Sequence, residues 1–259
     1  MILRIKSLYF FVRNIDFQCL KYSLTVPSGT RKLFGYKIPF DLALNKSELF
    51  AQLYHFVNDV SFKYFSLIKP RVIFDLGASY GILSLNYHKK FPYAKIYSFE
   101  PNPITYNFAK SLFEINKVTD RIYLFNDAVG DREEERELYY NPWHLEGSSL
   151  FEQANNSEKV RIRMIRFVDF IQREKIENID FLKVDIEGGE FDLLRDLDES
   201  KTIDIISKIF MEVHSKFSDI KRTSLSKILE ILEKNCFFYK VCSTGDDGEN
   251  FRTLVWAWK

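Results

Sequence analysis

Residues 72–81, VIFDLGASYG, decide how the rest of the chain is organised. An apolar run ends there in the acid Asp75, and small residues with two glycines, Gly77 and Gly81, follow directly. A short apolar run followed by glycines is typical of a buried strand that ends in a tight turn. Such a turn lets the backbone approach a ligand closely, so we expect a phosphate, a nucleophilic side chain or a nucleoside at this position.

From residue 71 onwards, strand patterns alternate with helix patterns. Apolar runs typical of strands occupy residues 71–76, 94–100, 121–129, 179–187, 205–214, 236–243 and 251–259, and helical patterns lie between most of them. This alternation predicts an α/β fold that is Rossmann-like and doubly wound, with a mostly parallel seven-stranded sheet. The turn-rich loop TGDDGEN joins the last two strands, so we expect the last strand to be antiparallel.

The first 66 residues form a predicted N-terminal extension that matches no motif. GYKIPFDLAL at 35–44 predicts a short strand or hairpin, and the spacing of apolar residues predicts a helix over 47–67. The start of the chain has no small-residue cleavage site after its brief apolar run, so we do not interpret it as a signal peptide. We expect the extension to contact the acceptor or a second subunit of a homo-oligomer.

Residues 67–259 form the predicted Rossmann-like domain, and one segment interrupts its alternation. At 131–166 two extended arms, DREEERELYYN and EKVRIRMIRF, flank a polar stretch rich in Asn, Ser and Gly. Long connections inside compact domains are often binding loops or lids. We therefore expect residues 141–157 to be a mobile lid over the acceptor.

The composition excludes several classes of protein. Lys and Arg number 37 and Asp and Glu number 36, so no charge excess indicates a nucleic-acid partner. No apolar run approaches the ~18 residues of a transmembrane segment. The three cysteines, Cys19, Cys236 and Cys242, are too widely spaced for a disulfide framework or a zinc site. We therefore expect a reduced, cytoplasmic location.

Two familiar interpretations of the glycine turn explain its residues poorly. Gly77–Gly81 matches the G-x-S-x-G pattern of a nucleophile elbow, but an elbow follows several strands and has no use for Asp75. A nicotinamide dinucleotide turn has the pattern G-x-G-x-x-G, and this chain has Ser79 where the second glycine belongs. A carboxylate beside a pyrophosphate would also be repelled by it. A nicotinamide-dependent oxidoreductase is therefore the weaker alternative.

A nucleoside without phosphates explains the acids better. S-adenosylmethionine has a cationic sulfonium and an amino group, which would give Asp75 a partner. Glu100 ends the second strand and can accept both ribose hydroxyls. Asp127 follows the third strand and can accept from the adenine amino group, while the backbone of Ala128 meets a ring nitrogen. Because the carboxyl ends of parallel strands meet at one edge, the three acids converge on one crevice.

The fourth and fifth strands also end in polar residues. In FLKVDIEGGE, Asp185 and Glu187 are two residues apart, so they face the same way on an extended strand end. The same spacing relates Glu212 and His214 in MEVH. An acid that ends an apolar strand needs a partner, which indicates that these groups form part of a site.

With these residues in place, the chain resembles the FkbM family of S-adenosylmethionine-dependent methyltransferases. The matching pieces run in order from residue 72 to residue 214: VIFDLGASYG, IYSFEPNP, NDAVGD, GSSL, IDFLKVDIEGGE and MEVH. The resemblance implies methylation of an oxygen on a sugar, a glycan or a small metabolite. It also implies a cofactor site at Asp75, Gly77, Ala78, Ser79, Tyr80, Gly81, Glu100, Pro101, Asn102, Asp127, Ala128, Val129 and Asp185. A regulatory module that binds the nucleoside without transferring anything is the alternative from another class.

Methylation of a hydroxyl requires a group that takes up its proton, and two arrangements are available. His214 can act as general base next to Glu212. Alternatively Asp185 and Glu212, with Glu187, can hold a divalent metal that lowers the pKa of the acceptor. We expect the base, because the sequence offers no denser set of oxygen ligands.

The acceptor is expected to contact the insertion, which is the interrupting segment at 131–166, and the fourth strand. The insertion supplies Trp143 and His144, whose rings suit a sugar or a planar acceptor, and the serines Ser148 and Ser149. Lys183 either pairs with a neighbouring acid or contacts the substrate.

Overall fold

The computed structural model of the chain describes residues 29–43, 49, 52–53, 59–65, 69–141, 144–150, 158–215, 225–244 and 251–259. The hairpin expected near residues 35–44 consists of β1 (Thr30–Leu33) and β2 (Tyr36–Pro39), which pair antiparallel. Most of the helix expected over 47–67, and residues 142–143 and 151–157 of the expected lid, lie outside the described residues.

The remaining elements alternate along the chain as the sequence predicts. The strands are β3 (Val72–Leu76), β4 (Lys95–Phe99), β5 (Ile122–Phe125), β6 (Ala128–Gly130), β7 (Glu134–Asn141), β8 (His144–Ser149), β9 (Glu158–Arg166), β10 (Phe181–Val184), β11 (Lys208–Ser215), β12 (Phe238–Thr244) and β13 (Phe251–Trp258). The helices are α1 (Ile82–Lys90), α2 (Pro103–Asn116), α3 (Phe167–Arg173), α4 (Glu190–Glu199) and α5 (Leu225–Lys234). Within these ranges, no helix is long and apolar enough to cross a membrane.

The main sheet confirms the predicted Rossmann-like architecture. In the described part of the chain it has seven strands in the order β12-β13-β11-β10-β3-β4-β5. The last strand, β13, is antiparallel to both of its neighbours, and the other neighbouring strands are parallel. The strand order reverses between β3 and β10, and ligand crevices of doubly wound sheets form at such reversals.

A second sheet, in the order β6-β9-β7-β8, is built mainly from the insertion. The two expected arms are present as β7 and β9, which pair antiparallel. Two details differ from the sequence prediction. The strand expected over 121–129 is divided into β5 in the main sheet and β6 in the second sheet. In addition, β8 occupies residues 144–149 of the segment that we expected to be a mobile lid, and it pairs with β7.

Aromatic side chains pack closely on one face of the main sheet. The rings of Phe74 and Tyr97 on neighbouring strands stack with centroids 4.8 Å apart. Phe170 of α3 meets Phe99 edge-on, with centroids 5.0 Å apart. Such pairs contribute about 0.5–1.5 kcal/mol each beyond the burial of their area. The strand ends that carry the polar residues are therefore fixed by a well-packed core.

Candidate functional site

A cavity of about 380 Å³ lies at the carboxyl ends of the parallel strands, where the strand order reverses. This volume lies within the ~300–1,000 Å³ that is usual for small-molecule sites. Most of the predicted residues line the cavity: Gly77, Ala78, Ser79, Glu100, Pro101, Asp127, Ala128, Val129, Ser148, Lys183, Asp185, Glu187 and Glu212.

Other predicted residues lie behind the cavity wall or outside the described structure. Those not in its lining are Asp75, Tyr80, Gly81, Asn102, Ser149 and His214. Trp143 lies outside the described residues, and only the backbone of His144 is described, as the first residue of β8. The expected contacts of Trp143 and His144 with the acceptor therefore stay predictions.

The glycine turn after β3 lies between the ends of the neighbouring strands β4 and β10 and contacts both. The N–H groups of Gly77 and Ala78 both donate to the carbonyl oxygen of Phe99, at 3.0 and 2.9 Å. Gly77 has a φ of 79°, and a Cβ at this position would overlap the carbonyl oxygen of Asp185. Glycine is therefore required at residue 77 both by its backbone conformation and by the closeness of β10.

Tyr80 and Gly81 support this turn from inside the protein. The Tyr80 side chain is fully buried and meets Phe108 edge-on, with ring centroids 5.0 Å apart. Gly81 precedes α1 with a φ of 74°, and a Cβ there would lie 2.6 Å from the ring of Phe113. Both residues position the turn and do not line the cavity.

Asp75 has its partners inside the protein and not in the cavity. Its side chain is fully buried and accepts a hydrogen bond from Ser84 Oγ at 2.6 Å. Lys183 Nζ lies 3.3 Å from Asp75 and 3.4 Å from Asp185, and it donates to the carbonyl oxygen of Gly77 at 2.7 Å. The expectation that Asp75 meets the cofactor is therefore replaced by a buried ion pair that holds the glycine turn.

The pKa values of this pair reflect its burial. Desolvation raises the pKa of Asp75 above its ordinary value, although the charge of Lys183 and the Ser84 hydrogen bond oppose the rise. Burial alone would lower the pKa of Lys183, but the charges of Asp185 and Asp75 outweigh it and raise the pKa. Lys183 is therefore a firmly protonated cation whose side chain is only 4% exposed.

Glu100 is held in place by three hydrogen bonds from the protein. Oε2 accepts from the Ser79 N–H at 2.7 Å, and Oε1 accepts from the Asn102 N–H and from Thr105 Oγ1, both at 2.9 Å. Desolvation nevertheless raises its pKa above the ordinary value. A carboxylate has about four acceptor positions, so about one is left on Oε2. The predicted bidentate contact with a ribose would thus share Oε1 with the protein.

Asp127 lines the cavity but is already paired with an arginine. Arg163 of β9 donates to its two carboxylate oxygens, at 2.8 and 3.3 Å. The neighbouring Asn126 Nδ2 donates to the carbonyl oxygens of Glu100 and Pro101, at 2.8 and 3.1 Å. This link bends the chain between β5 and β6, and it places Asp127 and Ala128 at the cavity.

The opposite end of the cavity contains a cluster of carboxylates around His214. The side-chain Nε2 of His214 lies 3.5 Å from Glu212, 3.6 Å from Glu187 and 3.8 Å from Asp185. These three acids line the cavity, whereas His214 is only 6% exposed and does not. The ring is thus placed behind the carboxylates, and in this arrangement an acceptor in the cavity meets a carboxylate first.

Glu190 is a site residue that the sequence prediction missed. It is fully buried at the first position of α4, and its Oε1 lies 3.0 Å from His214 Nδ1. Burial alone would lower the pKa of His214, but the contacts with Glu190 and Glu212 and the charge of Glu187 raise it well above its ordinary value. The sequence feature that could have identified Glu190 as a site residue is its position directly after EGG in the DIEGGE segment.

The serines of the insertion connect the two ends of the cavity. Asn102 Nδ2 donates to Ser148 Oγ at 3.1 Å, which ties β8 to the start of α2. Ser149 Oγ donates to the carbonyl oxygen of Glu187 at 3.0 Å, which ties the same strand to the turn after β10. Ser148 lines the cavity and Ser149 is buried. Residues 148 and 149 therefore form a fixed wall.

The N-terminal extension also contributes to the cavity wall, through Gln52, Asp59, Val60 and Ser61. Asp59 is held by Lys90 Nζ at 2.8 Å and by Asn86 Nδ2 at 3.0 Å, both on α1. No motif in the sequence indicated these residues. They reach the cavity because the extension packs on the Rossmann-like domain.

Two relatives found by comparison with known proteins are methyltransferases by name. The chain is 28% identical over 157 residues to methyltransferase sdnD of Sordaria araneosa, covering 49% of this chain and 60% of the relative. It is 24% identical over 160 residues to methyltransferase 1 of Beauveria bassiana, covering 54% of this chain and 64% of the relative. The chain thus spans less than two thirds of the length of these two relatives.

Among solved structures, a human methyltransferase 10 domain containing protein aligns with a TM-score of 0.46 at 14% identity, covering 86% of this chain and 88% of that one. A sequence model of the methyltransferase FkbM domain matches residues 75–239, which include the glycine turn, Glu100, Asp127 and the His214 cluster. The match extends over more than half of the chain. The chain therefore belongs to the FkbM methyltransferase family.

Proposed function

We propose that this protein transfers a methyl group from S-adenosylmethionine to a hydroxyl group of a sugar, a glycan or a small metabolite. The observation that supports this most is the acidic lining of the cavity, which contains six acids: Asp59, Glu100, Asp127, Asp185, Glu187 and Glu212. Three of them have a basic partner, since Lys90, Arg163 and Lys183 lie beside Asp59, Asp127 and Asp185, so the acids still outnumber these bases. Of the described lining residues, only Lys183 has a basic side chain, and its ammonium is enclosed by Asp75, Asp185 and Gly77. Such a lining favours a cationic ligand over a phosphate.

The same lining argues against a nicotinamide dinucleotide. A pyrophosphate is usually bound by backbone N–H groups at a glycine turn and a helix N-terminus. Here the N–H groups of Gly77 and Ala78 donate to Phe99, and the Ser79 N–H donates to Glu100. The N–H groups of residues 77–79 therefore already donate to acceptors within the protein, and the nearby carboxylates would repel a phosphate.

The residues present fit S-adenosylmethionine. We assign the ribose to the remaining acceptor position of Glu100, and the adenine to Asp127, Ala128 and Val129. We place the methionine part along the turn at 77–79, extending towards Asp185. When bound, the cofactor supplies an electrophilic methyl group on a sulfonium. The acidic lining then stabilises the cationic form of the ligand in a partly enclosed space.

The proposed reaction is an in-line displacement, in which the acceptor oxygen forms a bond to the methyl carbon while the carbon–sulfur bond breaks. The electron pair of the broken bond stays on sulfur, and the acceptor hydroxyl loses its proton. The carboxylates of Asp185, Glu187 and Glu212 line the cavity at this end and can accept that proton. His214 then acts as a positioning residue behind them, in place of the direct base that the sequence suggested.

The acceptor is expected to bind at the mouth formed by the N-terminal extension and the second sheet. Val60 and Ser61 come from the extension, and Leu138, Leu145 and Leu150 come from the insertion. These side chains combine apolar area with a few polar groups, which is usual for small-molecule sites. The cavity would thus contact both the ring faces and the hydroxyl groups of a sugar-like molecule.

The test is a transfer assay with S-adenosylmethionine and a panel of sugars, glycosylated lipids and hydroxylated metabolites. We expect S-adenosylhomocysteine to form only with a matching acceptor, and the product to bear the methyl group on oxygen. Glu187→Gln should slow transfer by roughly 10²–10⁴-fold, the range for a group that accepts a proton in the transition state. Glu137→Gln, on the exposed side of β7, is the matched control and should leave the rate unchanged.

Two outcomes would contradict the proposal. A protein that binds S-adenosylmethionine but forms no product with any acceptor would favour the non-catalytic nucleoside-binding module. A methyl group found on nitrogen would place the chain among the N-methyltransferases and remove the need for a strong base.

A further inference from the structure

We propose that Asp185, Glu212 and His214 bind a divalent metal ion of the first transition series, such as Mn²⁺, at the acceptor end of the cavity. The role of the ion rests on the proposed function. The site itself rests on the geometry of the three side chains. One donor atom from each of the three residues lies within 4.8 Å of the others. Glu187, 3.6 Å from His214 Nε2, borders the same space.

The first argument is the unsatisfied nitrogen of His214. Among the described residues, its Nε2 is buried and has no hydrogen-bond partner of good geometry. The ring is 6% exposed, and Nε2 points towards Glu212, Glu187 and Asp185 at 3.5–3.8 Å. A buried ring nitrogen surrounded by carboxylates requires either a proton or a cation between them. The site therefore has the negative charge that a positive centre needs.

The second argument is the way Glu190 orients the ring. Its Oε1 lies 3.0 Å from His214 Nδ1, so Nδ1 is placed to donate to Glu190, and Nε2 is the atom that faces the three carboxylates and would bind an ion. A metal-bound histidine nearly always donates its other N–H to a carboxylate or a carbonyl, which fixes the tautomer. Glu190 is itself fixed by the Gly188 N–H at 3.0 Å and is fully buried.

The third argument is distance. Ligands at about 2.1 Å from one ion, at angles from 90° to 130°, are roughly 3–4 Å apart. The separations of His214 Nε2 from Glu212 and Asp185, 3.5 and 3.8 Å, lie in this range. The three residues occupy only part of a coordination shell, so an acceptor hydroxyl could take an open position beside Glu187.

The donor set indicates the class of ion. Two carboxylates with one imidazole suit Mn²⁺, Fe²⁺ or Zn²⁺ better than Mg²⁺ or Ca²⁺, which prefer oxygen ligands alone. A bound ion would act as a Lewis acid that lowers the pKa of the acceptor hydroxyl. Glu187, which borders the site without belonging to the three-residue set, would then take up the released proton.

The experiment measures binding of Mn²⁺ to the full chain by electron paramagnetic resonance, after chelator treatment and without S-adenosylmethionine. We expect one ion per chain, with modulation of the electron spin echo by an imidazole nitrogen. Glu212→Gln and His214→Gln should each weaken binding at least ~10-fold, since even outer residues of metal sites change affinity ~10–100-fold. Glu137→Gln is the control and should bind as the wild type does.

Absence of Mn²⁺ binding up to about 1 mM, the weak limit known for Ca²⁺ sites in proteins, would overturn the proposal. So would binding without a nitrogen signal, because the ion would then lie elsewhere. The nitrogen signal is read on the wild type, so a variant that fails to fold does not decide the outcome. Titration of the metal-free protein with S-adenosylmethionine tests the proposed function separately. A protein that binds this cofactor but no Mn²⁺ overturns only the metal site.

Discussion

Replacement of Lys183 by methionine tests whether the buried ion pair holds the site together. The ammonium of Lys183 is 4% exposed and lies 3.3 Å from the fully buried carboxylate of Asp75. Methionine keeps most of the side-chain volume and removes the charge. Loss of one partner from a buried pair usually costs about 3–5 kcal/mol. We expect Lys183→Met to lower the free energy of unfolding by this amount at neutral pH.

The expected loss of unfolding free energy can also be calculated from the protonation of Asp75. Without Lys183, Asp75 becomes neutral in the folded state, because Ser84 is its one remaining side-chain partner among the described residues. Protonating a carboxyl group with an ordinary pKa of ~3.9 at pH 7 costs about 4 kcal/mol. In the variant, the folded state then binds more protons than the unfolded state, so its stability falls as pH rises. The deficit relative to wild type should therefore shrink to about 1.5 kcal/mol at pH 5.

The assay is urea unfolding followed by circular dichroism at pH 7 and pH 5. The double variant Lys183→Met with Asp75→Asn should recover most of the loss, because an amide needs no counter-charge and can still accept from Ser84. Arg121→Met is the surface control, since Arg121 and Asp120 are 41% and 74% exposed, and it should cost about 0–1 kcal/mol. A loss below ~1 kcal/mol for Lys183→Met at pH 7 would refute the reasoning.

Three further predictions concern other parts of the site and fold. Glu100→Ala should weaken S-adenosylmethionine binding by ~1.5–3 kcal/mol in a calorimetric titration, whereas Ser111→Ala, which removes an exposed hydrogen bond within α2, should change it little. Gly77→Ala should lower the melting temperature more than Gly35→Ala, because both glycines have positive φ but only Gly77 has a neighbouring backbone in the way; equal shifts would contradict this. Burial alone would raise the pKa of Asp198, but Lys234 and Asn235 together outweigh it and lower the pKa. Its contribution to stability is therefore present above pH ~4 and lost below it, so the melting temperatures of Asp198→Asn and wild type should converge in acid.

The fold could be predicted from the sequence because each strand is a local pattern and parallel strands end at one edge. The glycine turn, Glu100 and Asp127 therefore converge without any knowledge of packing. Asp75 could not be assigned correctly in this way. Its partner depends on the register of β3 and β10, in which Asp75 lies opposite Lys183, and register is a tertiary property.

The contact between Glu190 and His214 illustrates what sequence patterns miss. The two residues are 24 positions apart and meet because α4 packs against the end of β11. No spacing rule connects a helix start with a strand end across such a distance. The division of the strand expected at 121–129 has a similar origin, because Asn126 turns the chain by donating to the carbonyl oxygens of Glu100 and Pro101.

The central claim is that the acidic crevice binds S-adenosylmethionine. The most direct measurement is isothermal titration calorimetry of the full chain with S-adenosylmethionine and, separately, with a nicotinamide dinucleotide. We predict saturable binding of S-adenosylmethionine with one site per chain, and no heat of binding for the dinucleotide. Clear binding of the nicotinamide dinucleotide, with none for S-adenosylmethionine, would contradict this account.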